Sequence, residues 1–384
     1  MRKHLRQAWN EPLYRNSMYL ILNSFVMALF GFVFWSLAAK QFSSEDVGLA
    51  TAVISAVSLV ASLSLLGFNV SILKFKEKSL NFTALVMCSI VAFILSVLFL
   101  LFVNVFSPNL SFLSSQVLYI VGFVAFSVLS VVYFLMNSML IAQGRTGVVF
   151  VKDTLFSLVK VVLIFFIVGV FGLLIFWYLG IALAVVISLF FIHMERKLFD
   201  VRKVFHFSFY NYVSNILGIL PNVLLPLIII HYFGASYAAY FYVVWMIANL
   251  LFIVPTAMTQ NVLSSGKEEN MKKAYMFSAC LLILGILLVG LIGEFLLNLF
   301  NPEYVIALPL LYILALSSLP YGIRRIYQTK LNLHGRVKRV ILMDAITLVV
   351  TVMGSIAFIE YGLLAVGVSW FVGNVLAFVG VKRK

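Results

Sequence analysis

Apolar runs of about twenty residues or more follow one another along almost all of this 384-residue sequence, broken only by short polar stretches. At about 1.5 Å of rise per residue, a helix of that length spans the hydrocarbon of a bilayer. Charged residues make up 10% of the chain and hydrophobic ones 64%, whereas a soluble domain carries roughly 25% charged side chains. Too few polar groups are present to coat a globule in water. The expected fold is all-α and polytopic, with about twelve spans over residues 17–40, 47–73, 82–106, 112–142, 149–171, 173–194, 205–232, 236–263, 271–299, 304–330, 338–359 and 361–381. Arg2, Lys3, Arg6 and Arg15 precede the first run as in a signal peptide. That run exceeds the roughly 7–15 residues of a signal core, so it reads as a retained span.

A net charge of +14 would suit a nucleic-acid binder if the cations formed a stripe. Here they sit in short clusters between apolar runs. With the N-terminus placed inside the cell, 23 of the 27 Lys and Arg residues fall on inner segments, and only Lys40 on an outer one. The remaining three, Lys160, Arg324 and Arg325, lie within spans. Such a bias predicts an even number of spans, both termini cytoplasmic, and a multi-pass protein of the plasma (inner) membrane. Nucleic acid is excluded as a partner. Outer segments 107–111, 233–235 and 300–303 are too short to build a catalytic domain, which argues against a membrane glycan polymerase or ligase. Cys88 and Cys280 match no metal or redox spacing and read as small buried residues, so neither cofactor nor metal is expected.

The two halves resemble each other. Gly144-Arg145 recurs as Gly335-Arg336 and Asp153 as Asp344, each 191 residues on. The same offset aligns Tyr19 with Tyr210, Phe42 with Phe233, and Asn69 with Gln260. A Gly-Arg pair followed eight positions later by Asp, repeated at one offset, reads as a duplication. It gives two six-helix lobes, 1–195 and 196–384, related by a pseudo-twofold along the membrane normal, as in parallel-repeat transporters.

Polar side chains within spans should face protein or water. In the second span, Thr51, Ser55, Ser58, Ser62 and Asn69 share an arc of about 60° at roughly 100° per residue. Asn211, Asn215 and Asn222 share a face of the seventh span, and Asn249, Thr256 and Gln260 one of the eighth. Asn23 lies in the first. Ser and Thr rows also let helices pack closely, but buried Asn is costlier and favours a wet cleft. Pro221, Pro226 and Pro255 add kinks in the same helices. Spans one, two, seven and eight are therefore the expected cleft.

Lys160 is mid-span, where a charge costs about 2.5–3.5 kcal/mol. Asp153, seven residues earlier, is about 10 Å away along the axis, too far for direct pairing. Asp153 and Asp344 read either as coupling groups or as partners of Arg145 and Arg336. Lys160, Arg324, Arg325 and Arg15 are candidates to hold a phosphate, with snorkelling to the inner surface as the competing role for Arg15 and Arg325. The polar candidates beside them are Asn23, Asn69, Asn211, Asn215, Asn222, Asn249 and Gln260.

The stretch FSSEDVGLATAVISAVSLVASLSLLG at 42–67 resembles the second-span region of oligosaccharide flippases and polysaccharide exporters, and HYFGASYAAYFYVVWMIANLLFIVPTA at 231–257 resembles its mate in the second half. The glycine-arginine turns at 143–145 and 334–336 fit the same pattern. This family belongs to the multidrug/oligosaccharidyl-lipid/polysaccharide (MOP) exporter superfamily. The resemblance implies a MATE-like fold and the flipping of a polyprenyl-(pyro)phosphate-linked oligosaccharide to the outer leaflet by alternating access. It also implies partners among membrane lipids and other glycan-assembly proteins. A cation-drug antiporter exchanging protons or sodium is the alternative within the superfamily. It would want a carboxylate deep in the first span, and 17–40 has none.

Overall fold

The computed structural model describes residues 12–166, 170–265, 270–334 and 336–382, and among these it contains helices and turns but no strand. The principal helices are α1 (Pro12–Gln41), α2 (Ser44–Ser64), α3 (Phe68–Phe75), α4 (Lys78–Leu101), α5 (Val117–Ala142), α6 (Thr146–Leu163) and α7 (Val170–Phe191). They continue with α8 (Arg202–Phe233), α9 (Ala235–Ser265), α10 (Asn270–Phe300), α11 (Leu308–Leu333), α12 (Val337–Ala357) and α13 (Leu363–Lys382). α8 and α9 run through Pro221, Pro226 and Pro255 without ending.

Among the described residues, eleven helices are long and apolar enough to cross a membrane, one fewer than expected from the sequence. The missing one is α6. Its 18 residues include Lys152, Asp153 and Lys160, too much charge for a span judged by composition. All three are buried, together with Val149, Phe156 and Ser157. Val151, Leu155, Leu158 and Val162 are exposed on the opposite side. The helix is thus patterned inside out, polar toward protein and apolar toward lipid, as a membrane requires. The chain is a multi-pass membrane protein.

By internal contacts the chain forms two compact units, the first Met1–Phe42 with Val53–Tyr212, the second Ser43–Ala52 with Val213–Lys384. α2 and α8 each contribute to both. In the first unit, the run expected as one span over 47–73 is broken between α2 and α3. Leu66 and Gly67 take left-handed backbone angles, φ 48° and 76°. Unpaired carbonyls inside a membrane are costly, and the break supplies donors for its own. Tyr212 Oη donates to Leu63 O at 2.8 Å, and Phe68 N to Leu65 O at 2.8 Å. The Cys88 thiol reaches Leu65 O at 3.5 Å. Ser208 O approaches so closely that a Cβ on Gly67 would lie 2.2 Å from it, and the Ser71 and Ser208 hydroxyls are 2.6 Å apart. Irregular backbone survives here because protein covers it. Cys88 is buried as expected, but Cys280 is exposed on α10, whose composition is apolar enough for it to face lipid.

In the second unit, the first turns of α2 meet the start of α9. Ser44 Oγ donates to Ser236 Oγ at 3.2 Å, and Gly48 packs directly on the Ala235 carbonyl. Thr51 and Ser55 are buried, Thr51 bonds Gly48 O, and Ser62 bonds Ser58 O.

Gly67→Ala forces a side chain into a left-handed position, about 1–2 kcal/mol, and into Ser208 O. A clear drop in melting temperature in detergent is expected, whereas Gly31→Ala, with nothing within 4 Å, should leave it unchanged.

Candidate functional site

The repeated Gly-Arg…Asp motif is a complete structural device. Gly144 adopts φ 71°, and its N–H donates to Ile141 O at 3.0 Å. The next N–H, of Arg145, donates to Leu140 O at 2.8 Å. This pair of bonds is a Schellman cap, which needs a left-handed residue and so selects glycine. In the second half Arg336 N makes the same bond to Leu331 O, at 2.8 Å. The cap turns the chain sharply, so the following helix runs back along the one just ended. Two turns later its aspartate faces a residue twenty positions earlier in the sequence.

In the first unit Asp153 accepts from three side chains: Lys152 Nζ at 2.7 Å, Tyr133 Oη at 2.8 Å and Asn23 Nδ2 at 2.9 Å. Lys152 also lies over the Tyr133 ring, 4.1 Å from its centroid. In the second, Asp344 accepts from Arg324 Nη1 at 2.7 Å and Gln328 Nε2 at 2.8 Å. Arg324 Nε donates onward to Asn374 Oδ1 at 2.9 Å, tying α11, α12 and α13 together. The offset of 191 maps Tyr133 onto Arg324 and Asn137 onto Gln328. Each unit therefore carries one carboxylate faced by the residue twenty positions earlier, Tyr133 in the first and Arg324 in the second, where Gln328, four residues after Arg324, joins it. Buried carboxylates need such partners, because an isolated charge in this medium costs several kcal/mol.

These contacts correct the expected pairing of Asp153 and Asp344 with Arg145 and Arg336. Arg145 instead donates to the Phe191 carbonyl, where a cation suits the end of α7. Arg336 is exposed at the start of α12. Through Asp153, Lys152 on α6 and Asn23 on the first span are held by one carboxylate.

Lys160 and Asp153 do not pair, as their spacing implied. Lys160 is 3% exposed and, among the described residues, has no carboxylate within 4 Å. It is enclosed by rings, with Nζ 4.0 Å from the Trp177 centroid, 4.1 Å from Phe156 and 5.5 Å from Phe34. Arg324 is buried in its own network. Arg325 is half-buried, donates to Gln328 Oε1 at 3.2 Å, and has a buried Nε with no acceptor. Asn23, Asn69 and Asn249 are half-buried and Asn222 is exposed. The side chains of Arg15, Asn211, Asn215 and Gln260 lie outside the described residues. Sequence reasoning missed Lys152, Tyr133, Gln328 and Asn374. The first was counted with a loop. Tyr133 and Gln328 were readable from the offset that linked the aspartates.

By sequence, no family model matches the chain and no curated protein matches it. By structure it is similar to the lipid II flippase MurJ in an inward closed conformation, with a TM-score of 0.76 at 14% identity over 95% of this chain and 87% of that one. It is likewise similar to an inward-facing multidrug resistance MATE family transporter of the MOP superfamily, at 0.70 and 14% over 94% and 96%. A MOP superfamily transporter from Pyrococcus furiosus, described as having a binding pocket of reverse polarity, matches at 0.59 and 15% over 98% and 95%. The fold is that of MOP superfamily transporters, and the structures it resembles are transporters and a flippase.

The buried pair in the second unit should behave as one object. Asp344→Ala or Arg324→Ala alone should cost roughly 3–5 kcal/mol by stranding the other charge. The double variant should lose clearly less than their sum in detergent unfolding. Strict additivity would mean that the two groups do not interact.

Proposed function

We propose that the chain is a flippase of the plasma membrane that moves a polyprenyl-(pyro)phosphate-linked oligosaccharide to the outer leaflet, using its two repeated lobes for alternating access. The observation that carries this reading is the charge balance within the spans. Each described mid-span carboxylate, Asp153 and Asp344, already holds a cation at 2.7 Å. Lys160 and Arg325 have no carboxylate within 4 Å among the described residues. The surplus is positive, which favours an anionic headgroup and disfavours a cationic drug. Arg325, with its buried Nε lacking an acceptor, is the side chain best suited to a phosphate oxygen. Lys160 contributes to the potential without direct contact, since the rings enclose it. The similarity to MurJ, named as a lipid II flippase, supports a lipid-linked substrate of this kind.

The competing antiporter reading has the similarity to multidrug MATE transporters on its side. The two separate in proteoliposomes. Translocation of a fluorescent polyprenyl-pyrophosphoryl oligosaccharide is expected from the wild type, with about a tenfold slower rate for Arg325→Gln at equal protein content. Proton- or sodium-driven efflux of a cationic dye without glycan translocation would overturn the proposal.

Orientation is proposed from the basic clusters. A fluorescent-protein fusion after Lys384 should fluoresce, and an alkaline phosphatase fusion there should be inactive. The opposite pair of results would invert the topology.

A further inference from the structure

We propose that Phe34, Phe156 and Trp177 form a cation cage in the first unit whose occupant is the chain's own Lys160, and that this resident ammonium bars small organic cations from the site. The three rings come from three helices, α1, α6 and α7. Phe34 is fully buried and Phe156 is 3% exposed. Phe156 and Trp177 meet edge to face, with centroids 5.6 Å apart and planes at 75°, so their faces form two walls of a corner. Phe34 supplies a further side at 5.5 Å from Nζ. Gly180 is the reason α7 comes so near. A Cβ there would lie 2.4 Å from the Phe156 ring, so any larger residue would push Trp177 and Phe156 apart.

An ammonium over the face of an aromatic ring within about 6 Å is attracted by the ring quadrupole, more strongly when water is excluded, and boxes of such rings recognise organic ammonium ligands. Here the ligand is covalently supplied. Among the described residues no carboxylate lies within 4 Å of it. On the same helix, both carboxylate oxygens of Asp153 are engaged, Oδ1 by Lys152 and Tyr133 and Oδ2 by Asn23. Lys152 and Asp153 cancel, leaving α6 with one uncompensated positive charge enclosed in rings. A chain with a fold shared by multidrug transporters thus has its aromatic cation box filled and charged against entry. This goes beyond the flippase reading and is measured without any glycan, so either can fail while the other stands.

The test is chemical rescue. Lys160→Ala removes three methylenes and the ammonium, leaving a space the shape of propylammonium. With purified protein in detergent, millimolar propylammonium should raise the melting temperature of Lys160→Ala. It should not raise that of the wild type or of Lys160→Met, which fills the space without charge. Propan-1-ol, equal in shape but neutral, should bind at least tenfold more weakly, and adding Trp177→Leu should abolish the rescue. Folded Lys160→Ala that takes propanol as well as propylammonium, or a wild type that binds propylammonium equally, would overturn the proposal. If Lys160→Ala does not fold, the cycle with Trp177 decides. Trp177→Leu should lower the melting temperature more with Lys160 present than in the Lys160→Met background, and equal losses in both would show that the rings merely pack.

Discussion

A charge placed in the middle of a bilayer must be compensated by the protein that carries it, and this constraint organises the interior of both units. On insertion scales each such residue costs about 2.5–3.5 kcal/mol when left to lipid. Three compensations are used. Lys152 and Asp153 are neighbours on α6 and form an ion pair with a tyrosine and an asparagine on the remaining lone pairs. Arg324 and Asp344 pair across two helices, with a glutamine and an asparagine completing the set. Lys160 has rings in place of a counter-ion. In each case the charged group lies on the face of its helix turned to protein.

The duplication explains why the first two compensations share one geometry. After each Gly-Arg pair the next helix brings its aspartate, two turns on, against the residue twenty positions earlier, Tyr133 in one unit and Arg324 in the other. The equivalent positions carry different side chains in the two halves. A phenol stands in one half where a guanidinium stands in the other. The first unit then needs its cation from elsewhere, and Lys152 supplies it from α6 at a position where the second half has the buried Met343. The two sites have equal charge balance with different stiffness. Arg324 is bonded at two nitrogens to two helices, whereas Lys152 is a single flexible point charge.

Much of this was legible beforehand. The helical, multi-pass class followed from apolar length and charge scarcity, and the repeat from Gly-Arg and Asp at one offset. The span count fell short at α6 because composition cannot see that three charges share one buried face. The break at Leu65–Gly67 was hidden because its freed carbonyls are satisfied by Tyr212 and Cys88, which are remote in sequence. Pairings were the least legible. Arg145 and Arg336 each precede an aspartate by eight residues at the repeated offset, but both sit at helix starts and neither bonds to it. The caged state of Lys160 required Phe34 and Trp177 from separate helices, and among so many aromatics nothing in the sequence marks those two.

Selectivity in such a frame is set less by which charged residues are present than by which remain unneutralised. Counting Asp153 and Asp344 alone would make the interior look ready for a cation or a proton. With their partners in place both aspartates are spent, and among the described mid-span residues what is left over is Lys160 and Arg325. On the proposed reading, this surplus disfavours a cation in either unit and favours an anionic headgroup. The same fold can therefore serve opposite substrate polarities by moving one or two counter-charges onto the helices themselves, without altering the helical frame.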